Sequence, residues 1–176
     1  MKNILFISPY FIPALGYGGP PKINSDLAKY LINKKYYVEV WTTDVLDGHK
    51  RCVLLNENIN RVKVVRFKNI SNWLAWNFKF FIPIKYSRYA KQNIIKFDYV
   101  FLSDFRTYQN IIMYKLCIKY KIPYSIAAYG QIPIPGEISA FFKKIIKKFI
   151  DLFWIRKMVI NATYLFGQTD HEIQQY

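Results

Sequence analysis

Two adjacent glycines and a lysine lie where a short apolar strand leads into a helix, and this arrangement can bind phosphate. Gly18 and Gly19 end a proline- and glycine-rich loop after the apolar run 4–7, and Lys22 lies in the first turn of the predicted helix. Glycine lets backbone N–H groups approach an anion closely, and a helix N-terminus adds a partial positive charge. The same residues also fit a plain strand-to-helix turn, with Lys22 as a solvated surface lysine whose cation opposes the helix dipole. The loop contains neither the dinucleotide fingerprint G-x-G-x-x-G nor the Gly-Lys-Ser/Thr of a P-loop.

A second group of candidate ligands follows a buried strand predicted at 98–102. Asp104, Arg106 and Tyr108 come directly after this strand. In open α/β sheets, ligands bind beyond the carboxyl ends of the strands. Arg106 can hold a phosphate or carboxylate through two parallel hydrogen bonds. The structural alternatives are that Asp104 holds the loop and that Arg106 pairs with it.

The other residues that could do chemistry give weaker candidates. His49 lies in a basic loop and His171 lies in an apparent helix cap, so both are predicted at the surface. No Ser/His/Asp set and no metal-ligand cluster stands out, so the sequence assigns no catalytic residue and no metal is expected. Cys52 and Cys117 are far apart without metal-ligand spacing, which is typical of a reduced, cytosolic protein.

Apolar runs and helical segments alternate along the chain, which predicts an α/β fold with a Rossmann-like parallel sheet and helices on both faces. The predicted strands are 4–7, 37–42, 61–67, 98–102, 124–128 and 162–167, and the predicted helices are 22–33, 73–96 with a break at Pro83, 108–121 and 139–159. Segment 44–57 is predicted as a loop, and 129–136 as a Gly/Pro loop. Strand 61–67 is predicted near an edge of the sheet because its charges alternate.

The chain is strongly basic, which limits the partners it can attract. Its 176 residues form one ordinary domain or half of a two-domain protein, with 26 Lys and Arg against 11 Asp and Glu and a net charge of +15. Such a charge attracts nucleic acid, anionic lipid or phosphorylated ligands. Nucleic-acid binding ranks lowest, because no recognised nucleic-acid motif accompanies the charge.

Two segments fit an anionic membrane surface. Within segment 139–159, residues 140–150 alternate apolar and lysine pairs with nearly helical period. Segment 73–81 is aromatic with a single lysine. A basic amphipathic helix or interfacial Trp and Phe can lie at the headgroup boundary. The alternative for 139–159 is a packed helix with a solvated lysine face. We expect no signal peptide and no membrane span, because the apolar run 4–7 is too short and no run approaches about 18 uncharged apolar residues.

Taken in order along the chain, these segments resemble the N-terminal domain of the retaining GT-B glycosyltransferases of glycosyltransferase family 4. The resembling segments are 4–13, Gly18-Gly19-Pro20, 27–31, 38–43, 103–110, 122–130 and 162–172. In that family, two Rossmann-like domains face each other across a cleft. The N-terminal domain mainly holds the acceptor, and the C-terminal domain holds the sugar nucleotide through a motif of two glutamates. The resemblance implies that residues 1–176 are the acceptor-side half of this architecture and that the donor-binding domain is absent.

The resemblance also implies roles for individual residues. The residues on the donor-phosphate side would be Gly18, Gly19 and Lys22, and those on the acceptor side would be Asp104, Arg106, Tyr108, Tyr129 and Gly130. Tyr129 precedes Gly130 where the family usually has His or Arg. A tyrosine can stack on a sugar or hydrogen-bond to it, but its reference pKa of about 10 makes it a poor base near neutral pH. The departure therefore implies an unusual acceptor or a reduced activity.

The function implied by the resemblance is transfer of a sugar from a nucleotide sugar to a lipid-linked or polysaccharide acceptor. No cofactor or metal is expected, and the protein would lie in the cytoplasm, at the inner face of the cell membrane. An apparent capping box at 169–172 precedes the last residue, Tyr176, by barely one turn, so we expect more protein to follow. The fragment alone should then be inactive. The alternative is a non-catalytic α/β binding subunit that pairs with a separate donor-domain protein.

Overall fold

The computed structural model describes residues 1–104, 106–129 and 154–167, in which strands and helices alternate. The strands are β1 (Asn3–Ile7), β2 (Tyr37–Thr43), β3 (Asn56–Ile59), β4 (Val62–Phe67), β5 (Tyr99–Ser103), β6 (Tyr124–Ala127) and β7 (Tyr164–Phe166). The α-helices are α1 (Pro20–Asn33), α2 (Asn72–Phe78), α3 (Tyr86–Asn93), α4 (Tyr108–Tyr120) and α5 (Arg156–Ile160), with short 3-10 helices at Leu15–Tyr17 and Ile94–Lys96.

The described strands form one mixed sheet in the order β3-β4-β2-β1-β5-β6-β7. β3 runs antiparallel to β4, and all other neighbours in the sheet are parallel. β1 lies at the centre, with β2 on one side and β5 on the other. After β1, the chain first adds β2, β3 and β4 on one side of β1 and then adds β5, β6 and β7 on the other side, so the switch point of the sheet lies between β1 and β5. A crevice at the carboxyl ends of these two strands is the expected ligand position. The predicted α/β sheet class is confirmed.

Apolar side chains pack on both faces of this sheet. Leu5 and Ile7 of β1 join the core under α3, α4 and α5. Ile4 and Phe6 point to the opposite face and pack with α1. Successive residues of a strand face opposite sides, so a strand buried on both faces must be apolar throughout, as the run 4–7 is.

The region between β2 and β5 differs from its prediction in two ways. β3 forms where the loop 44–57 was expected to continue, and it covers the edge of β4. Its sequence, Asn-Glu-Asn-Ile, has no apolar alternation, so the strand depends on its hydrogen bonds to β4. The predicted helix 73–96 is two helices, and the chain leaves α2 through Lys79 (φ 55°) and enters α3 through Lys85 (φ 64°). These left-handed conformations end and restart the helix on either side of Pro83.

Three predicted features fall wholly or partly outside the described residues. They are the loop 129–136 beyond Tyr129, the helix 139–159 before residue 154, and the cap at 169–172. The C-terminal end of the predicted helix is present as α5. In the ranges described, none of the helices has the length and apolarity that crossing a bilayer requires.

Candidate functional site

A buried polar network joins the carboxyl ends of three strands. Ser8 follows β1, Ser103 ends β5, and Tyr129 lies two residues beyond β6. The amide Nδ2 of Asn24 donates to Ser103 Oγ at 2.7 Å and to Ser8 Oγ at 3.3 Å. The Tyr129 hydroxyl donates to Asn24 Oδ1 at 2.5 Å. A single side chain of α1 therefore holds together the strand ends around the crevice.

The sequence analysis did not identify Asn24 or Ser8. The buried residues of α1 are Pro21, Asn24, Ser25 and Ala28, which recur with helical spacing. A polar residue on the buried face of a helix needs a hydrogen-bond partner, so this spacing was a usable signal. It indicates burial but does not identify the partners, because those partners come from distant strands.

Asp104 lies next to this network and binds a buried tyrosine. The Tyr10 hydroxyl donates to Asp104 Oδ1 at 3.2 Å, and both residues are buried. Burial and the Asp104 carboxylate raise the pKa of Tyr10 well above its ordinary value, so this hydroxyl remains a donor. Asp104 has a φ of 71°, and Asn110 Nδ2 donates to its carbonyl at 2.9 Å. These contacts agree with the alternative that Asp104 holds the loop. Binding of an acceptor by Asp104 stays a prediction.

The residues after Asp104 form the start of α4. The Thr107 side chain caps this helix by accepting a hydrogen bond from the Asn110 N–H at 3.3 Å. Tyr108, the first residue of α4, is exposed, and Arg106 is half-buried. Both residues thus lie at the carboxyl end of β5, where the sequence analysis expected them. Gly130 lies outside the described residues.

The glycine loop offers fewer backbone donors than its sequence suggested. Gly18 has a φ of 94°, which favours glycine, and its N–H donates to the Leu15 carbonyl at 3.0 Å. Pro20 and Pro21 occupy the first turn of α1 and have no N–H to offer an anion. The Lys22 N–H donates to the carbonyl of Gly19, the helix N-cap. Attraction of an anion at this loop therefore depends mainly on the helix dipole.

The Lys22 side chain is engaged at the surface. Its Nζ atom lies 2.7 Å from the Asp26 carboxylate, one helical turn along α1, and both side chains are exposed. This pair matches the alternative of a solvated surface lysine. A role of Lys22 in phosphate binding stays a prediction, and it would require the ammonium group to leave Asp26.

An aromatic cluster packs beneath the glycine loop, and the sequence analysis did not predict it. Tyr10 stacks on Tyr17 with 4.6 Å between ring centroids, and Trp76 of α2 meets Tyr17 edge-on at 5.1 Å. A Cβ atom added at Gly48 would lie 3.0 Å from Trp76 Cγ, so this glycine permits the close approach of the indole ring. Burial, with a contribution from Asp47, raises the pKa of Tyr17 to about 12. α2 thus positions the loop that precedes α1.

The ends of β2 and β4 are held by two ion pairs, in each of which one partner is buried and the other is more exposed. Asp44, directly after β2, accepts from Arg51 Nη1 at 2.9 Å and from the Asn69 N–H at 2.8 Å. The buried Arg66 side chain of β4 donates to the Ile12 carbonyl at 2.7 Å and pairs with Glu57. These pairs fix the loops on one side of the crevice, so Arg51 and Arg66 serve the fold.

The described histidine lies at the surface, and Cys117 lies in the hydrophobic core. His49 is exposed, and its N–H donates to Asp47 Oδ1 at 2.8 Å. Burial raises the pKa of the Cys117 thiol to about 12, which makes it unreactive at neutral pH. Within residues 1–104, 106–129 and 154–167, no group of three or more His, Cys, Asp or Glu residues could hold a metal ion. His171 lies outside these ranges.

A cavity of about 350 Å³ lies at the opposite, amino-terminal end of the sheet. Its lining includes Glu39, a buried carboxylate in β2. Glu39 accepts hydrogen bonds from Trp41 Nε1 at 2.8 Å, the Tyr37 hydroxyl at 2.9 Å and Lys63 Nζ at 3.1 Å. With three donors satisfied, this carboxylate holds neighbouring strands together, and we assign no ligand to the cavity.

The fold and the crevice between β1 and β5 define a Rossmann-like α/β domain similar to that of a GT-B glycosyltransferase. No family model matches the chain, and no curated protein sequence matches it. Among solved structures, the chain is similar to sucrose-phosphate synthase from Thermosynechococcus elongatus, with a TM-score of 0.55 and 12% identity. The match covers 94% of this chain and 42% of that chain. The resemblance to the GT-B fold is therefore confirmed, and membership of family 4 stays a prediction.

Proposed function

We propose that this chain is the acceptor-side domain of a retaining glycosyltransferase that transfers a sugar from a nucleotide sugar to a lipid-linked or polysaccharide acceptor. The observation that carries the proposal is the switch point of the sheet between β1 and β5, where a buried network of Ser8, Ser103 and Tyr129 with Asn24 joins the strand ends. Ligands of open α/β sheets bind in the crevice outside the strand ends at such a point. Sucrose-phosphate synthase, a glycosyltransferase to which this fold is similar, supports sugar transfer as the general chemistry.

The proposed acceptor ligands are Asp104, Arg106, Tyr108, Tyr129 and Gly130. The first four follow the carboxyl ends of β5 and β6, and Gly130 lies outside the described residues. Arg106 would hold an acidic group of the acceptor, such as a phosphate, through paired hydrogen bonds. The Tyr129 hydroxyl donates a hydrogen bond to Asn24 Oδ1. We therefore propose that Tyr129 shapes the acceptor pocket and is not the base.

The donor would be held mainly by a second domain. The chain spans 42% of the solved structure it matches, so a donor domain of comparable size would complete the cleft. On this side of the cleft, Gly18, Gly19 and Lys22 would face the donor pyrophosphate. The α1 dipole would supply most of their attraction, because Lys22 is paired with Asp26. We propose a cytoplasmic enzyme that needs neither metal nor cofactor.

The proposal is tested with the longest polypeptide that the reading frame encodes, alone and together with any separately encoded donor-domain protein. Transfer of labelled sugar from a panel of nucleotide sugars into the lipid and polysaccharide fractions is measured. Arg106→Ala should lower transfer at least about tenfold, because a charge-assisted contact is lost. Arg61→Ala is the matched control and should have no effect, because Arg61 is an exposed arginine directly before β4, at the amino-terminal end of the sheet.

The outcomes separate the two candidate functions. Transfer by the single polypeptide supports an enzyme with both domains in one chain. Transfer only in the presence of a second protein supports the alternative, a binding subunit that pairs with a donor-domain protein. No transfer and no binding of any nucleotide sugar in either arrangement overturns both.

A further inference from the structure

One exposed surface around α2 is rich in large apolar side chains, and we call it the α2 surface. It consists of Ile70, Trp73, Phe78, Phe80 and Ile84, which are 48% to 59% exposed. Trp73 and Phe78 lie against each other, with 5.3 Å between ring centroids. Five large apolar side chains concentrated within 15 residues differ from the singly scattered apolar residues that are normal on a protein surface.

The fold brings the two ends of this segment together. The Ile70 N–H donates to the Ile82 carbonyl at 3.1 Å, and the Ile84 N–H donates to the Lys68 carbonyl at 2.8 Å. These bonds flank an antiparallel bridge between Asn69 and Pro83, which are both buried. Side chains alternate along extended chain, so Ile70 and Ile84 point outward on the same side.

The charges around the α2 surface have one sign. Residues 68–88, which include the α2 surface and the first turn of α3, contain four basic residues and no acidic residue. All four are exposed, and they are Lys68, Lys79, Lys85 and Arg88. Asp47 lies against the buried side of α2, beside Asn72, and its carboxylate accepts hydrogen bonds from the N–H groups of His49 and Lys50. Exposed aromatic groups with a cationic rim fit a partner that is apolar inside and anionic at its surface.

We propose that the α2 surface docks on an anionic lipid bilayer, with its Trp and Phe rings at the level of the headgroups. Trp and Phe favour the membrane interface, and basic residues beside them are attracted to anionic lipid. Trp76 connects this surface to the crevice, because it packs between the α2 surface and the loops at Gly16 and Gly48. Docking would therefore place the glycine loop close to the bilayer, where a lipid-linked molecule can reach it. The docking proposal stands independently of the proposed transferase activity.

Sedimentation with lipid vesicles tests the proposal on the full chain. The protein should sediment with vesicles of phosphatidylcholine and phosphatidylglycerol, remain in solution with phosphatidylcholine alone, and be released by salt. Trp73→Ser with Phe80→Ser should weaken binding at least about tenfold, because two large side chains no longer enter the interface. Tyr30→Ser is the matched control, since Tyr30 is an aromatic residue on α1 that is 57% exposed and carries Lys34 over its ring.

Tryptophan fluorescence provides a second readout. The chain has four tryptophans, of which Trp41 is fully buried and reports the folded core. Anionic vesicles should shift the emission of the wild-type protein to shorter wavelength. Trp73→Phe should retain vesicle binding and lose a large part of this shift, because it keeps an aromatic ring and removes the fluorophore.

Four results overturn the proposal. The first is unchanged sedimentation of the Trp73→Ser/Phe80→Ser variant when its melting temperature shows that it is folded. The second is an equal loss of binding in Tyr30→Ser, and the third is equal binding to neutral vesicles. The fourth is a dimer in solution that only the double variant dissociates, which would make the α2 surface an interface between copies. None of these results bears on transfer to a water-soluble acceptor, so this proposal and the proposed function fail separately.

Discussion

The candidate site depends most directly on the side chain of Asn24. It contacts Ser8, Ser103 and Tyr129, whose backbones belong to three different segments at the edge of the sheet. A buried amide with all its contacts made rigidifies a site, while a partly satisfied network destabilises it. The arrangement of the crevice should therefore be sensitive to changes of this one side chain.

We expect Asn24→Leu to lower the free energy of unfolding by about 2–3 kcal/mol, because it leaves several buried polar groups without a partner. Urea denaturation followed by circular dichroism measures the change. Ser25→Ala is the matched control on the same buried face of α1 and should lower stability by less than about 1 kcal/mol. Equal losses in the two variants would contradict the assigned role of Asn24.

Tyr10 and Tyr17 stack on each other, but loss of the two hydroxyls should have different effects on the melting temperature. The buried Tyr17 hydroxyl has no hydrogen-bond partner among the described residues, whereas that of Tyr10 donates to Asp104. Tyr17→Phe should therefore leave the melting temperature at neutral pH unchanged or raise it, because no bond is lost. Tyr10→Phe should lower it. A larger loss in Tyr17→Phe than in Tyr10→Phe would contradict these contacts.

The burial of Tyr17 makes the free energy of unfolding depend on pH in the alkaline range. The folded protein holds the pKa of Tyr17 at about 12, against an ordinary value of 10.0. Between these pH values the unfolded chain loses this proton and the folded protein keeps it, so the free energy of unfolding falls as pH rises. The contribution of this proton is fully present below pH 10. Denaturation at a series of pH values should show a shallower fall in Tyr17→Phe than in the wild type, and parallel curves would exclude this contribution.

At the scale of elements, α2 has two faces with different roles. Its inner face presents Asn72, Ala75 and Trp76 to the loops before α1 and after β2. Its outer face carries Trp73 and Phe78, which belong to the α2 surface. A helix of seven residues is too short to be stable alone, so these contacts hold it in place.

Alanine substitutions at Gly48 and Gly19 distinguish a glycine required by close packing from one that has room for a side chain. Gly48→Ala should lower the free energy of unfolding by about 1 kcal/mol or more, because the new Cβ would lie 3.0 Å from Trp76 Cγ. At Gly19, the nearest atom to an added Cβ is Ile23 Cδ1 at 3.7 Å, so Gly19→Ala should be tolerated. Thermal unfolding of the two variants measures the difference. Tolerance of Gly48→Ala would show that the indole ring does not pack closely against this glycine.

At the scale of the whole molecule, the sheet is most protected at its centre. β1 and β5 have parallel neighbours on both sides and apolar packing above and below. Among the described strands, β3 and β7 lie at the two edges of the sheet. Stability against local opening should therefore decrease from the centre outward.

Hydrogen exchange measures this gradient. The amides of β1 and β5 should exchange slowest, with protection close to the free energy of global unfolding. The amides of β3 and β7 should exchange first, because edge strands open without disturbing the core. Protection of β3 equal to that of β1 would contradict a sheet with β1 at its centre and β3 at its edge.

Local pattern determined most of the elements but little of the site. The central strands are continuous apolar runs, and helical spacing and caps define α1 and α4, so these could be predicted from neighbouring residues. The glycine loop and the end of β5 were also identified correctly as lying at the carboxyl edge of the sheet. β3 was missed because its polar sequence becomes a strand only when β4 supplies its hydrogen bonds.

The sequence by itself thus determined the α/β class, the central strands and the edge where the candidate ligands lie. The tertiary structure alone decided that Asn24 joins Ser103 and Tyr129, which are 79 and 105 residues away along the chain. It also decided that Trp76 packs under the glycine loop and that Ile70 and Ile84 extend the α2 surface. The physical reason is that periodicity and caps act between near neighbours, whereas these contacts exist only after the sheet has brought distant segments together.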